Sequence, residues 1–356
     1  MRGIGRIGAV AVLLAALGAP ASASECSVGD LNGDNVVNVL DLIDLLLCFG
    51  LPADPPCDTG DTNADGVINV LDLITLLLNF GSTTVAGGTF PATWINGGPN
   101  CPTEPAIQVH AYNADTYILR QSLCTNFEGP FIYLLFGQDK VLMQDTGAGG
   151  IAIASTVYGI IDTWLADHQQ ESIELIVSHS HAHGDHIAGD SQFNGQPDTT
   201  MVGLSSTAVA SFFRISTWPT ELVEYDLGGG RIIDVIPIPG HQSAHIALYD
   251  RQTGLLLTGD TLYPGRLYIS NFTQYIQSIR RLNDFIADKT VCHVLGTHIE
   301  MSNTPGDDYA FGATSHPDEH PLPLDRSHLI ELYHALLGMK GAPHIEVHDD
   351  FIVWPL

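Results

Sequence analysis

Basic residues are scarce in this sequence, and none occurs between Arg6 and Arg120. Only 13 lysines and arginines stand against 40 acidic residues, which gives a formal net charge of −27 at pH 7. A surface with this excess repels polyanions such as nucleic acid and anionic lipid. The composition therefore argues against a nucleic-acid partner.

Long apolar runs are also lacking after the first residues. Arg2 and Arg6 precede the apolar run 7–17, which is too short to span a bilayer, and the small residues 21–24 follow it. This order predicts a secretory signal peptide over residues 1–24 and disfavours an anchoring helix. We therefore expect a secreted, cell-surface or periplasmic protein without a transmembrane anchor.

Six cysteines are available for disulfides outside the cytoplasm: Cys26, Cys48, Cys57, Cys101, Cys124 and Cys292. Cys57 can pair with Cys26 across a repeat or with the nearer Cys48. A local disulfide between Cys101 and Cys124 is a further expectation.

An internal repeat occupies the region without basic residues, where residues 29–43 align with residues 60–74. Each copy places oxygen donors at the spacing of a calcium-binding loop of roughly a dozen residues, including the backbone carbonyl of a valine. The candidate calcium ligands are Asp30, Asn32, Asp34, Val36, Asn38 and Asp41 in the first loop and Asp61, Asn63, Asp65, Val67, Asn69 and Asp72 in the second.

A predicted helix follows each loop, over residues 39–49 and 70–80. Because each unit lacks an entering helix and ends its loop with Asp, residues 25–82 resemble a dockerin domain, a small α-helical relative of the EF-hand. The resemblance implies two Ca²⁺ ions, a cohesin-type scaffold partner and a role in polysaccharide catabolism. It assigns partner recognition to four residues: Val39, Leu40, Val70 and Leu71. A calcium-stapled spacer with these residues in its core is the alternative.

Residues 83–105 are rich in Gly and Pro and predict a linker. Beyond it, alternating patterns predict an α/β domain over residues 106–356. The predicted strands are 117–120, 131–136, 140–144, 173–177, 232–238, 255–260, 291–295 and 345–354, and the predicted helices are 156–168, 206–214, 273–287 and 326–337.

Four potential metal ligands are concentrated directly after the strand 173–177: His181, His183, Asp185 and His186. A tight turn at a strand end can aim all four at one cavity. Their spacing resembles the signature of the metallo-β-lactamase superfamily. Three residues at later strand ends resemble the remaining ligands of that family in the right order: His241, Asp260 and His298.

The resemblance implies a four-layer αβ/βα sandwich with two metal ions at one edge of its sheets. One ion would take His181, His183 and His241. The other would take Asp185, His186 and His298. Asp260 would bridge the two ions, and Asp145 would support the site from behind. Imidazole and carboxylate donors suit two Zn²⁺ ions, with Fe or Mn as alternatives.

A hydrolytic mechanism follows from this ligand set, in which a metal-bridging hydroxide attacks the substrate and Asp185 orients it. Tyr263 matches a tyrosine that contacts the substrate carbonyl in lactonases of the family, although it can equally be a core aromatic. Asp260 stands where true β-lactamases usually carry Cys or Ser. We therefore expect a small-molecule ester, lactone or thioester as substrate.

Two alternatives differ in function. A phosphodiesterase or nuclease of the same superfamily fits the His motif, but export and the acidic charge weigh against it. A non-catalytic cohesin-binding surface protein is the other alternative, and the intact ligand set weighs against that.

Overall fold

The computed structural model describes residues 31, 37–53, 57, 60–62, 66–78, 80, 85 and 87–356. The predicted signal peptide lies outside these residues. Within them, no helix has the length and apolar character needed to cross a membrane.

Seven α-helices occur in the part of the chain that is described. They are α1 (Val39–Cys48), α2 (Val70–Leu78), α3 (Ile153–His168), α4 (Gly184–Ile187), α5 (Ser206–Phe213), α6 (Phe272–Phe285) and α7 (Arg326–Gly338).

Fourteen strands occur in the same ranges. They are β1 (Ile107–Asn113), β2 (Thr116–Gln121), β3 (Phe131–Phe136), β4 (Lys140–Gln144), β5 (Glu174–Ser178), β6 (Thr199–Met201), β7 (Val223–Asp226), β8 (Ile232–Pro237), β9 (Ile246–Asp250), β10 (Leu255–Gly259), β11 (Arg266–Ile269), β12 (His293–Gly296), β13 (Glu346–Val347) and β14 (Ile352–Pro355).

The strands form two large sheets and one small one. Strands β1 to β6 form the first sheet in chain order, and the second sheet has the order β12-β10-β9-β8-β7. Strand β14 lies between β11 and β13 in the small sheet. The pairs β4–β5 and β10–β12 are parallel, so their carboxyl ends point to the same edge of their sheets.

The main core lies between the two large sheets, as the alternation along β3 shows. Tyr133 and Leu135 face the second sheet, where they join Val235 and Leu248 in one apolar cluster. Ile132 and the other intervening residues of β3 face the opposite side. Successive side chains of a strand point to opposite faces, so a strand buried on both faces is apolar throughout.

Helices cover the outer face of each sheet. Helix α3 places Val157, Ile160, Ile161 and Trp164 on one apolar stripe against the first sheet. Helices α6 and α7 pack on the second sheet through a cluster that includes Ile279. The result is the predicted sequence of layers, α/β/β/α.

The predicted elements that flank the site are confirmed to within a few residues at their ends. The single closing strand predicted over 345–354 is wrong, because a turn at Asp349 and Asp350 separates β13 from β14. The strands β1, β6, β7, β9 and β11 were not predicted. Several of them are short or half exposed, which weakens their apolar periodicity.

The two N-terminal helices form a small cluster of their own, in which Val37, Leu45, Ile68 and Leu76 are buried. Cys48 is joined to Cys57, which decides between the two pairings open for Cys57. The predicted disulfide between Cys101 and Cys124 is present.

The segment predicted as a linker contacts the sandwich where the structure describes it. Trp94 is buried and packs edge-on against Phe131, at 5.0 Å between ring centroids. The backbone N–H of Thr89 donates to the carbonyl of Tyr112 at 2.9 Å. Residues 87–105 therefore pack on the sandwich, while the predicted domain boundary itself stays a prediction.

Candidate metal centre

The His-rich loop begins where β5 ends, at Ser178. The backbone N–H of Ser180 donates to Asp145 Oδ1 at 2.7 Å, which fixes the start of the loop against the end of β4. Helix α4 follows at once and contains Asp185 and His186. The tight turn therefore brings residues 181–186 to the edge where the parallel strands β4 and β5 end.

Three imidazoles converge on one point of this edge. His181 Nε2 lies 2.9 Å from His183 Nδ1, and His241 Nε2 lies 3.1 Å and 3.0 Å from these two atoms. His241 comes from the loop after β8 of the other sheet. Neutral rings with converging lone pairs fit a shared cation, which makes this group a candidate metal site.

A second group lies beside the first. Asp185 Oδ2 is 3.1 Å from His186 Nε2 and 3.2 Å from His298 Nε2. His186 Nε2 is buried and has no hydrogen-bond partner among the described residues. His298 comes from the loop after β12. Buried imidazole nitrogens that converge with a carboxylate in this way suit a bound cation.

Asp260 lies between the two groups, directly after β10. Its Oδ2 atom is 3.7 Å from His181 Nε2 and 3.5 Å from His241 Nε2. Its Oδ1 atom is 3.4 Å from both His186 Nε2 and His298 Nε2. One oxygen therefore faces each group, as a bridging carboxylate requires. The structure thus brings together all seven predicted metal ligands.

The outer nitrogens of four rings are held by the protein, which fixes the direction of the inner ones. Nδ1 of His241 donates to the carbonyl of Tyr268 at 2.6 Å, and Nδ1 of His298 donates to the carbonyl of Glu128 at 2.9 Å. The other two contacts are His186 Nδ1 to Asp145 Oδ2 at 2.9 Å and His181 Nδ1 to Ser180 Oγ at 3.1 Å. Such contacts fix the tautomer and orient metal-binding histidines.

The pKa values of the histidines shift in different directions in the two ligand groups. Burial lowers the pKa of His181 and His241, which favours the neutral form that binds metal. Burial acts in the same direction on His298, but the Asp260 and Asp185 carboxylates outweigh it and raise the pKa of His298 to about 10. The second group therefore stabilises positive charge at its centre.

Asp145 directly follows β4 and has a φ of +70°, a conformation that is uncommon for a residue other than glycine. Its fully buried carboxylate accepts hydrogen bonds from Ser180 and His186. These contacts place Asp145 behind the ligands, where the sequence predicted it.

Tyr263 lines the cavity above the site and lies edge-on to His298, at 5.6 Å between ring centroids. Its hydroxyl donates to the carbonyl of Arg266 at 2.5 Å and lies 3.3 Å from Glu300 Oε2. In this arrangement the hydroxyl is bound to the protein. Its predicted contact with the substrate carbonyl stays a prediction.

Three residues near the centre carry no pattern that singles them out in the sequence. Glu128 and Glu300 line the cavity beside the ligands. His245 is buried and stacks on His181 at 4.7 Å between ring centroids, with its Nε2 atom unpartnered among the described residues. His245 also disfavours any side chain at position 259, because a Cβ on Gly259 (φ +52°) would lie 2.5 Å from His245 Nε2.

The candidate calcium ligands are only partly within the described residues. Asn38, Asp41, Asp61, Val67, Asn69 and Asp72 are described, and Asp30, Asn32, Asp34, Val36, Asn63 and Asp65 lie outside.

Comparisons with known proteins agree with the geometry. The family model of the metallo-beta-lactamase superfamily matches residues 125–298. A hydroxyacylglutathione hydrolase of Cereibacter sphaeroides is 31% identical over 216 residues, which cover 58% of this chain and 76% of that protein. The chain belongs to the metallo-β-lactamase superfamily.

A second relative from this superfamily is acyl-coenzyme A thioesterase MBLAC2 of Homo sapiens. It is 26% identical over 217 residues, which cover 52% of this chain and 77% of that protein. Both relatives are named as enzymes that cleave acyl bonds, and the prediction of a hydrolase is confirmed. Among solved structures, a metallo-beta-lactamase from Pontibacter korlensis is similar with a TM-score of 0.43 and 16% identity, covering 65% of this chain and 99% of that one.

Proposed function

We propose that the protein holds two transition-metal ions and hydrolyses an ester, lactone or thioester of a small molecule. The observation that carries this proposal is the position of Asp260, whose two oxygens face two separate ligand groups. A carboxylate placed in this way can hold a pair of ions at the short spacing of two-metal hydrolases. The names of the two acyl-cleaving relatives support the substrate class.

The ligand groups divide between the two ions. With Asp260 shared, one group is His181, His183 and His241, and the other is Asp185, His186 and His298. Zn²⁺, with Fe or Mn as alternatives, supplies Lewis acidity and an activated water when bound. Five of the seven ligands are buried, so the candidate centre lies below the protein surface at the floor of the cavity.

Asp185 is the acid best placed to orient the attacking water, since it lines the cavity beside the ligands. Burial raises the pKa of Asp185, but His186 and His298 outweigh burial and lower it well below the ordinary value. The carboxylate is therefore ionised at neutral pH. It accepts a hydrogen bond from the water and receives its proton as the oxygen adds to the substrate carbonyl. The proton then passes to the alcohol or thiol that leaves when the C–O or C–S bond breaks.

The first experiment is metal analysis of the purified full-length protein, combined with a screen of lactones, thioesters, carboxyl esters, phosphodiesters and a β-lactam. We expect about two transition-metal ions per chain and turnover of one acyl class. Asp185→Asn should abolish most turnover, whereas Asp284→Asn, on the surface of α6, should not. Absence of both metal and turnover would reject the proposal, and turnover of phosphodiesters alone would favour a phosphodiesterase.

For the N-terminal region we propose a calcium-binding docking module of the dockerin type over residues 25–82, with two Ca²⁺ ions. Asp41 and Asp72 are fully buried and have matching contacts. Asp41 accepts the backbone N–H groups of Leu31 and Asn38, each at 2.7 Å. Asp72 accepts those of Thr62 and Asn69, at 2.8 Å and 2.7 Å.

The partner-recognition positions support docking over the spacer alternative. Val39, Leu40, Val70 and Leu71 are 52–56% exposed, so they do not form the core of the module. Apolar side chains exposed at equivalent places of both repeats favour a protein partner. We propose a cohesin-type scaffold as that partner.

Binding to purified cohesin domains tests this part of the proposal. The full chain should bind in the presence of Ca²⁺, and Leu40→Asp combined with Leu71→Asp should abolish binding. Leu337→Asp is the matched control, because Leu337 is equally exposed on α7. If the wild-type chain binds no cohesin domain, the module is a spacer.

Secretion through residues 1–24 is the last part of the proposal. The disulfides Cys48–Cys57 and Cys101–Cys124 support it, since such bonds persist in oxidising compartments. Expression of the full chain followed by fractionation and N-terminal sequencing tests it. A cytoplasmic protein that retains Arg2 would overturn it.

A further inference from the structure

A cavity of about 230 Å³ lies above the metal centre. Besides five of the ligands, two carboxylates line it, those of Glu128 and Glu300. Among the residues that the structure describes, no lysine or arginine lines this cavity. The part of a substrate that extends beyond the reacting carbonyl therefore meets acidic groups.

Arg266 contacts the cavity residue Glu300, and its charge is already paired. Its guanidinium lies 3.4 Å from Glu300 and 2.5 Å from Asp308, and it also donates to the carbonyl of Tyr309. Its side chain is 7% exposed. Arg266 is not among the residues that line the cavity, and its charge is shared between these acidic partners.

Aromatic rings complete the wall. Tyr263, Tyr268 and Phe311 line the same cavity as the two carboxylates. Aromatic faces together with carboxylates attract cations, and the attraction increases where water is excluded. The two ions proposed above add positive charge where the reacting carbonyl binds. The glutamates disfavour an anionic group on the rest of the substrate, and the net charge of −27 repels polyanions at long range.

We propose that this cavity selects acyl substrates that carry a positively charged group and rejects those with an anionic handle. The proposal rests on the acyl hydrolysis proposed above. It separates this chain from the substrate classes named for its relatives, since a glutathione conjugate carries two carboxylates and a coenzyme A conjugate carries phosphates. Glu128 and Glu300 are the residues that determine this specificity.

Matched acetyl thioesters test the proposal with the full-length, metal-loaded protein. One set carries thiocholine, 2-mercaptoethanol or 3-mercaptopropionate as the thiol, and thiol release gives kcat/KM at low ionic strength. A second set places the same three charges on the acyl chain, since either half of the substrate can face the carboxylates. In at least one set we expect kcat/KM to decrease from the cationic to the neutral to the anionic substrate. The cationic and anionic values should differ roughly tenfold.

Three variants and one control connect the charge preference to the cavity. Glu128→Gln and Glu300→Gln should each lower the ratio of cationic to anionic kcat/KM several-fold, mainly through KM. Glu171→Gln removes the same charge from an exposed position elsewhere and should leave the ratio unchanged. Ser270→Lys adds a cation to the exposed edge of the cavity and should raise kcat/KM for the anionic substrate.

The outcomes separate the two proposals. If neither set gives the order cationic, neutral, anionic, the charge preference is overturned while acyl hydrolysis stands. If no thioester, ester or lactone is cleaved, the proposed hydrolysis fails. Calorimetric binding of the corresponding uncleaved thioethers then still measures the charge preference, and equal affinities would overturn it.

Discussion

Asp145 and His186 form a buried pair in which the ring Nδ1 donates to the carboxylate Oδ2 at 2.9 Å, and both side chains are fully buried. Asp145→Asn replaces an acceptor by an amide that cannot stabilise a positively polarised ring. Loss of such a contact behind a metal ligand costs about 10-fold to 100-fold in metal affinity or activity. Zinc titration measures the loss of metal affinity, and kcat/KM measures the loss of activity. Asp167→Asn on the exposed side of α3 is the control. Unchanged zinc affinity would remove Asp145 from the supporting role.

Asp260→Ala should lose at least one of about two metal equivalents, because one carboxylate contributes an oxygen to each ligand group. Metal content after dialysis against a weak chelator measures this loss, with Asp284→Ala as the surface control. Retention of both ions together with full activity would defeat the bridging assignment.

Arg231→Met should destabilise the sandwich by about 3–5 kcal/mol, since it leaves the fully buried carboxylate of Asp250 unpaired. Arg231 also donates to the carbonyls of Asp115 and Phe136, so it connects the two large sheets. Denaturant unfolding measures the loss. Arg231→Met combined with Asp250→Leu should restore part of it, and an equal or larger loss in the double variant would contradict this account.

Asp325 caps α7 by accepting the backbone N–H of Ser327 at 2.7 Å. Asp325→Ala should lower the free energy of unfolding by about 1 kcal/mol at pH 7. Burial alone would raise the pKa of Asp325, but contacts with Ser327 and His328 outweigh it and lower the pKa below the ordinary value of 3.8. The carboxylate therefore stabilises the fold above that value and loses its effect as the pH falls through the lowered pKa. The free energies of unfolding of the wild type and of Asp325→Ala should differ at neutral pH and become equal at strongly acidic pH. A difference that stays constant between the two conditions would contradict this.

Removal of Ca²⁺ with a calcium-selective chelator should unfold residues 25–82 and leave hydrolysis intact, because the metal centre is built from residues of the sandwich alone. Circular dichroism follows the helices while kcat/KM follows the site. Chelation in the presence of added Mg²⁺ serves as the control for general ion effects. Simultaneous loss of helix signal and activity would mean that the two regions do not fold independently.

The composition of the candidate metal centre was predictable from the sequence because the His motif and the later ligands, which follow apolar runs, resemble the pattern of a known superfamily. His241, Asp260 and His298 are far from the His cluster in the chain, but parallel and neighbouring strands end at a common edge of the sheets. The family resemblance assigned these residues to one site and placed Asp145 behind it, and their positions at strand ends agree with that assignment.

The acidic wall of the cavity was not predictable in this way. Glu128 precedes β3 and Glu300 follows β12, and neither belongs to a repeated or periodic pattern. The pairing of Arg266 with Glu300 and Asp308 likewise depends on how two separate loops fold against each other. The four-residue strands β7 and β11 were not predicted, whereas the equally short β12 was predicted from the apolar run that precedes His298.

The sequence by itself determined which side chains can bind metal, and it placed them at strand ends, because apolar periodicity and ligand spacing are local properties of the chain. Only the tertiary structure decided that Asp260 turns one oxygen to each ligand group, and that Glu128 and Glu300 face the cavity while Arg266 is paired outside it. These relations are distances between residues remote in the chain, and the packing of two sheets and their connecting loops sets them.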